Sequence, residues 1–495
     1  MKKILFLFLL TYFGSSILAQ SEIPNLVKQG LDYSYNFQFD KADEIFQRII
    51  SKYPSDPRGY HYRSSSYLWT YLSNKENDDY NNFIKYSDET IKKCEAILDS
   101  RDNDETALYI LGANYGFRAL AFTKANSSVS ALWAVKNANK YLSKTIELYP
   151  KNYDAHLGLG LFNYALSLVP SIFKWALKLG GLSGTKEEGI NHLKIVYRNG
   201  VYSRNEAAYF LSQIYSETLI DYNTATGYLK QLINKYPGNS LFGYSYAVVL
   251  MKNRKMNEAE KVLRKIIADN NKDFKQVISY SNFLIGEILF RKNEFSSTIS
   301  YYEKFLSTTK EFDYSGIAYY RIALSYEITG RREEAKKNYI LARNGNLDLA
   351  DDAFAKRKGE IYFDRTLSQN EIKLINISNM IECGKYQEAN NSLWELLPNL
   401  QAEKLKAEAY LYLCDINYET GKLDEAIKDG EKAVRFNTAN ETWIKPFAYY
   451  YLARAFYKSG NKSKAAEMVE AAEDFSDFDY QVKLKGYTDA LKEKL

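Results

Sequence analysis

The chain repeats itself, and that constrains its fold more than any other feature. The stretch LYLCDINYETGKLDEAIKDGEKAV (411–434) aligns with YLARAFYKSGNKSKAAEMVEAA (451–472) and with RIALSYEITGRREEAKKNYILA (321–342). Each copy reads as an aromatic-rich helix, a turn at glycine (Gly330, Gly421, Gly460) and a second helix opening on a small residue (Ala335, Ala426, Ala465). The frame extends toward the N-terminus through Ala42, Phe46 and Pro54, then Ala138, Leu142 and Pro150, then Ala225, Leu229 and Pro237. Ala259, Thr298 and Ala389 hold the equivalent place in further copies. These steps have a mechanical sense. The small residue lets the two helices of a pair approach closely, the apolar residue four later packs on the same face, and proline closes the second helix. A two-helix unit cannot bury its apolar face alone, so such units must stack. About eleven copies fit between residues 23 and 479, which predicts an all-α chain.

This pattern resembles the tetratricopeptide repeat, a helix–turn–helix of about 34 residues. The resemblance covers nearly all of the chain after its first twenty or so residues. It implies a right-handed superhelical solenoid with a concave groove. The register predicts one array over residues 20–343, with insertions near 73–105 and 165–182. An irregular connector is expected over 344–368, around DLADDAFAKRKGEIYFD, followed by a C-terminal array over 369–495.

The N-terminus, MKKILFLFLLTYFGSSILAQ, has a basic start at Lys2 and Lys3, an apolar core from Ile4 to Phe13, and small residues leading to Ala19. It reads as a secretory signal peptide over residues 1–19, too short to span a bilayer. No cysteine stands at the cleavage point to carry a lipid anchor. The expectation is an exported, soluble protein, periplasmic or extracellular.

One segment departs from the charged character of the rest. Residues 157–184, LGLGLFNYALSLVPSIFKWALKLGGLSG, hold only Lys174 and Lys178 as charges. The first helix of this unit is expected to run to Val169 and break at Pro170, with a short amphipathic helix from Ile172 to Leu179. Thr185 and Glu188 then form a T-x-x-E capping box that opens the second helix. The residues GLFNYALSLVP, KLGGLSG and EGINHL are similar to a signature of the eukaryotic tetratricopeptide family that includes the fungal inclusion-body clearance protein of the mitochondrial outer membrane. That resemblance covers residues 157–196 and implies membrane proximity. Pro170, Phe173 and Trp175 are the candidate interface residues of the insertion. Buried packing is the favoured reading; partner contact and lipid contact are the alternatives.

Nothing in the sequence points to catalysis. His61, His156 and His192 have no metal-ligand spacing, although His156 and His192 can face each other across one helix pair. Cys94, Cys383 and Cys414 form no CxxC motif, and only a Cys383–Cys414 bridge is worth testing. GGLSGTK lacks the lysine position and preceding strand of a phosphate-binding loop. Acidic pairs such as Asp351-Asp352 and Glu333-Glu334 read as solvated helix starts. No metal and no cofactor are expected. The net charge of +5 comes from 66 basic and 61 acidic residues that are interspersed, which argues against a nucleic-acid partner.

The remaining candidate site is the groove. The chain holds 44 Tyr against 5 Trp, and Tyr joins a large apolar body to a polar tip. The fifth position of successive first helices gives Tyr109, Tyr209, Tyr244, Phe283, Tyr320 and Tyr450, with Gln213, Glu287, Asp415 and Arg454 about one turn further on. Such a ladder suits protein or peptide segments as partners. The same residues would also serve simply to fill the space between adjacent first helices.

Overall fold

The computed structural model describes residues 22–169, 183–271, 274–309 and 312–495. Among them the regular structure is helical, and no strand occurs. The helices come in consecutive pairs, from residues 22–35 with Phe39–Lys52 to Ile444–Lys458 with Lys462–Glu473. Among the described residues eleven such pairs are formed, with Ala350–Asp364 and the helix Gln481–Lys492 standing outside the pairing. The chain is an α-solenoid of helix–turn–helix repeats.

The repeated small residues do what their positions require. Ala42, Ala225, Ala259, Thr298, Ala335, Ala389, Ala426 and Ala465 are all 0% exposed. The turn glycines adopt left-handed backbone, with φ of +80° at Gly330, +81° at Gly421 and +88° at Gly460. Each turn closes with a six-to-one hydrogen bond, such as Lys422 N–H to Asn417 O at 2.8 Å, which satisfies carbonyls the helix end leaves open. Other units hold the same conformation without glycine, at Phe37, Asn126, Arg254 and Asn293. Pro54, Pro150 and Pro237 each follow a C-terminal tyrosine whose N–H completes the helix before them.

Two stretches expected to fall out of register are helical. Residues 73–105 contain the 24-residue helix Asn77–Ser100, which packs on Pro57–Asn74 as the second member of an ordinary pair. Its signature is disguised because the fully buried small residues are Ser87, Thr90 and Cys94 rather than alanine. The stretch 344–368, read as irregular, holds the helix Ala350–Asp364, with Ala355 and Tyr362 in the core beside Tyr320 and Tyr339. Asp352 on this helix is fully buried, not solvated. Its carboxylate accepts N–H groups of Ile317 (2.8 Å) and Asn346 (2.9 Å), capping the helix Ser315–Ile328 from outside it. Burial raises its pKa to about 6.

The apolar unit begins with the helix His156–Ser167, two residues shorter than anticipated, and resumes with Lys186–Asn199. The Thr185–Glu188 capping box is formed reciprocally. These helices cross at Gly160 and Gly189, where a Cβ on Gly189 would lie 2.8 Å from Gly160 O. The signal peptide, Pro170, Phe173, Trp175 and the helix expected over 172–179 lie outside the described residues. No described helix is long and apolar enough to cross a membrane.

The solenoid divides into two compact units. One comprises the described residues within 22–212, 227–242 and 271–275; the other comprises those within 213–226, 243–270 and 276–495.

Candidate functional sites in the two units

In the first unit the winding of the solenoid brings its N-terminal hairpin onto much later repeats. Tyr236 Oη donates to Asp32 Oδ1 at 2.7 Å, Asn239 Nδ2 donates to Tyr35 O at 2.9 Å, and Phe37 stacks on Phe274 with ring centroids 3.9 Å apart. Inside this turn lies a cavity of about 570 Å³, walled by aromatic and aliphatic side chains. Two carboxylates reach it, Asp154 and Glu206. Asp154 is satisfied by the N–H groups of Val201, Tyr202 and Ser203 (2.8–3.1 Å), just ahead of the helix Arg204–Glu217. Glu206 differs. Burial raises its pKa to about 7, against a hydrogen bond from Tyr35 that lowers it, and its Oε2 is buried without a hydrogen bond.

In the second unit, a cleft of about 1070 Å³ is lined by nine tyrosines, all half-buried except Tyr450. Its charged groups are organised around Arg254, which holds a left-handed turn (φ +57°) between the helices Ser240–Lys252 and Met256–Asp269. Arg254 pairs with Asp415, donates to Tyr386 Oη at 3.1 Å, and lies 3.8 Å from Glu382 and 3.9 Å from Glu419. Arg454 pairs with Glu419 at 3.1 Å and lies over the ring of Tyr418, 4.0 Å from its centroid. Burial raises the Asp415 carboxyl, against the pull of Arg254 and Arg454. Beside Glu287, a smaller cavity of about 350 Å³ includes Tyr320 and Glu441 in its wall. Glu287 itself is held by Arg321 at 3.1 Å and Arg291 at 3.3 Å, and accepts from Tyr302 Oη.

The six aromatic positions taken from the repeat frame do not share one surface. Tyr109 and Tyr209 line the cavity of the first unit. In the second unit, Phe283 and Tyr450 line the cleft, Tyr320 lines the smaller cavity, and Tyr244 is half-buried outside all three. Tyr109, Phe283, Tyr320 and Tyr450 are each no more than 8% exposed and pack between helices. The half-buried rings that face the cleft, including Tyr222, Tyr386, Tyr418 and Tyr487, were missed. Of the four polar companions, Glu287, Asp415 and Arg454 take part in the ion pairs above.

His156 and His192 do meet, Nδ1 to Nδ1 at 2.6 Å. Burial lowers both, His156 to about 4, so one neutral ring donates to the other. All three cysteines are free; Cys383 Sγ donates to Arg291 O at 3.0 Å.

Comparison with known proteins follows the same lines. Residues 151–361 match the family model described as Iml2/Tetratricopeptide repeat protein 39, and residues 25–56 match a tetratricopeptide repeat model. No curated protein matches the sequence. Similar solved structures include a tetratricopeptide repeat protein from Parabacteroides merdae, at 16% identity over 58% of this chain and 98% of that one, with a TM-score of 0.26. The P58(IPK) TPR domain is 16% identical over 82% of this chain and 94% of its own, with a TM-score of 0.21. The human IFIT1 dimer with m7Gppp-AAAA is 15% identical over 92% and 94%, with a TM-score of 0.30. The two family models agree with the repeat read from the residues: the fold is that of tetratricopeptide repeats, and residues 151–361 match the Iml2/Tetratricopeptide repeat protein 39 model.

Proposed function

We propose that the protein is a non-catalytic scaffold that holds polypeptide segments, and that the cleft of the second unit is where it holds them. The observation that carries this reading is the half-buried tyrosine lining around Arg254 and Arg454. Tyr offers large contact area at low entropic cost, and Tyr and Arg are enriched where partners bind most strongly. Both signs of charge stand in the cleft, which suits the mixed termini and side chains of a peptide better than a polyanion. Phe283 and Tyr450 form part of its wall, while Tyr109, Tyr209, Tyr244 and Tyr320 serve the scaffold. The N-terminal sequence supports export, with action in the periplasm or outside the cell.

A photo-crosslinking residue in place of Tyr222 or Tyr418 tests the cleft. It should capture polypeptide in the native host, whereas the same residue at Trp394, which is 51% exposed, should not. Equal capture at all three positions rejects the assignment. N-terminal sequencing of the native protein should begin at or within two residues of Gln20.

A second reading is peripheral lipid docking through residues 165–182, with Pro170, Phe173 and Trp175 at the interface. Its support is the exposure of Leu168 (59%) and, on the helix Ser128–Leu148, of Val129 (85%), Leu132 (56%) and Trp133 (52%). Flotation with liposomes separates it from the first reading.

A further inference from the structure

The cavity of the first unit is a different kind of site from the cleft. Protein interiors are packed as closely as organic crystals, and unfilled apolar space weakens a fold in proportion to its volume. A space of about 570 Å³ inside one turn of the solenoid falls within the roughly 300–1,000 Å³ typical of small-molecule sites. Its walls carry Trp69, Phe117, Leu142, Leu161, Phe162 and Phe242. Leu132 lines it and is also 56% exposed, as are Val129 (85%) and Trp133 (52%) near it on the same helix.

The polar groups define the head of a ligand. Among the described residues that line the cavity the acidic side chains are Asp154 and Glu206, and these carboxylates repel a carboxylate or phosphate head. The backbone N–H groups already occupy Asp154. Glu206 Oε2 and Tyr62 Oη are both buried with no hydrogen bond from the protein. A buried polar atom without a partner is costly, and a native protein that keeps two beside one cavity calls for an explanation. With its pKa near 7, Glu206 can donate or accept at neutral pH. A hydroxyl also does both, and so complements either form of Glu206 together with the phenol of Tyr62.

We propose that this cavity binds an uncharged amphiphile of the long-chain alcohol class, with its hydrocarbon chain among the aromatic and leucine walls and its hydroxyl on Glu206 and Tyr62.

The test uses the full chain and the uncharged dye N-phenyl-1-naphthylamine, displaced by 1-decanol, 1-dodecanol and 1-tetradecanol. Affinity should rise about fourfold per methylene while the chain still fits. 1-Dodecanol should displace at least tenfold better than its methyl ether, dodecanoate or dodecylammonium. Tyr62→Phe combined with Glu206→Leu, which removes both polar partners, should bring the alcohol and the ether together with little change in dye uptake. Leu161→Trp, which fills the cavity, should abolish dye uptake with the helical signal intact. Should that variant fail to fold, the Tyr62→Phe and Glu206→Leu comparison alone decides. Absence of dye binding, retention of binding in a folded Leu161→Trp protein, or an alcohol–ether gap that survives the double substitution overturns the proposal. Tighter binding of the ammonium than of the alcohol overturns the assignment of an uncharged head.

Discussion

Glu206→Gln should make the protein more stable at pH 8 while changing it much less at pH 5.5. The carboxyl of Glu206 has its pKa raised from 4.5 to about 7, chiefly by burial. A raised acid favours the protonated form in the fold, so its contribution is full below about 4.5 and is lost as pH rises through about 7. Integrating between those two values, ionised Glu206 costs the fold about 3 kcal/mol at pH 8 and about 1 kcal/mol at pH 5.5. Gln keeps the shape and the donor of the protonated acid but cannot ionise. Urea unfolding followed by circular dichroism should therefore give a difference between variant and wild type that grows by about 2 kcal/mol from pH 5.5 to pH 8. Taking the difference at each pH cancels every other titrating group. A difference that is flat with pH, or that grows toward acid, refutes the view that this carboxyl is buried without a compensating charge.

Three further substitutions probe the repeat itself. Gly421→Ala, at φ +81°, should cost about 1 kcal/mol in thermal denaturation, and Gly421→Asn distinctly less, since only the left-handed turn separates them. Asp352→Ala should cost about 1–3 kcal/mol by leaving the buried N–H groups of Ile317 and Asn346 unpaired, whereas Asp351→Ala, at the more exposed neighbour, should change stability by less than about 0.5 kcal/mol. Phe283→Ala should lower stability by about 3–5 kcal/mol, because the ring is 7% exposed and packs on Tyr302, Phe305 and Tyr314. If binding of a cleft partner falls in that variant without a matching loss of stability, Phe283 is a contact residue and not a wall.

The period of the sequence identifies what happens inside one helix pair and says little about what happens between distant pairs. Ala426, Gly421 and the capping box of Thr185 and Glu188 were legible because each acts on residues within about one repeat of itself. The helix Asn77–Ser100 was not, since Ser87 and Thr90 replace the alanine that marks the frame while filling the same space. Sites are harder still. Asp32 meets Tyr236, and Arg254 meets Asp415, across 204 and 161 residues of chain. Those meetings depend on a small rotation accumulated over several repeats, which no local pattern encodes. The frame nevertheless leaves a trace where it is broken. Arg254, like Phe37, Asn126 and Asn293, stands at a left-handed turn that some units give to glycine, and the strain there is a backbone cost. For Arg254 the return lies in the cleft, where its side chain reaches Asp415 and Tyr386. Glu206 is the parallel case, an acid placed where burial opposes its charge. In a chain built from copies, residues that violate the rule of the copy at a physical cost are the ones whose reason is to be sought outside the repeat.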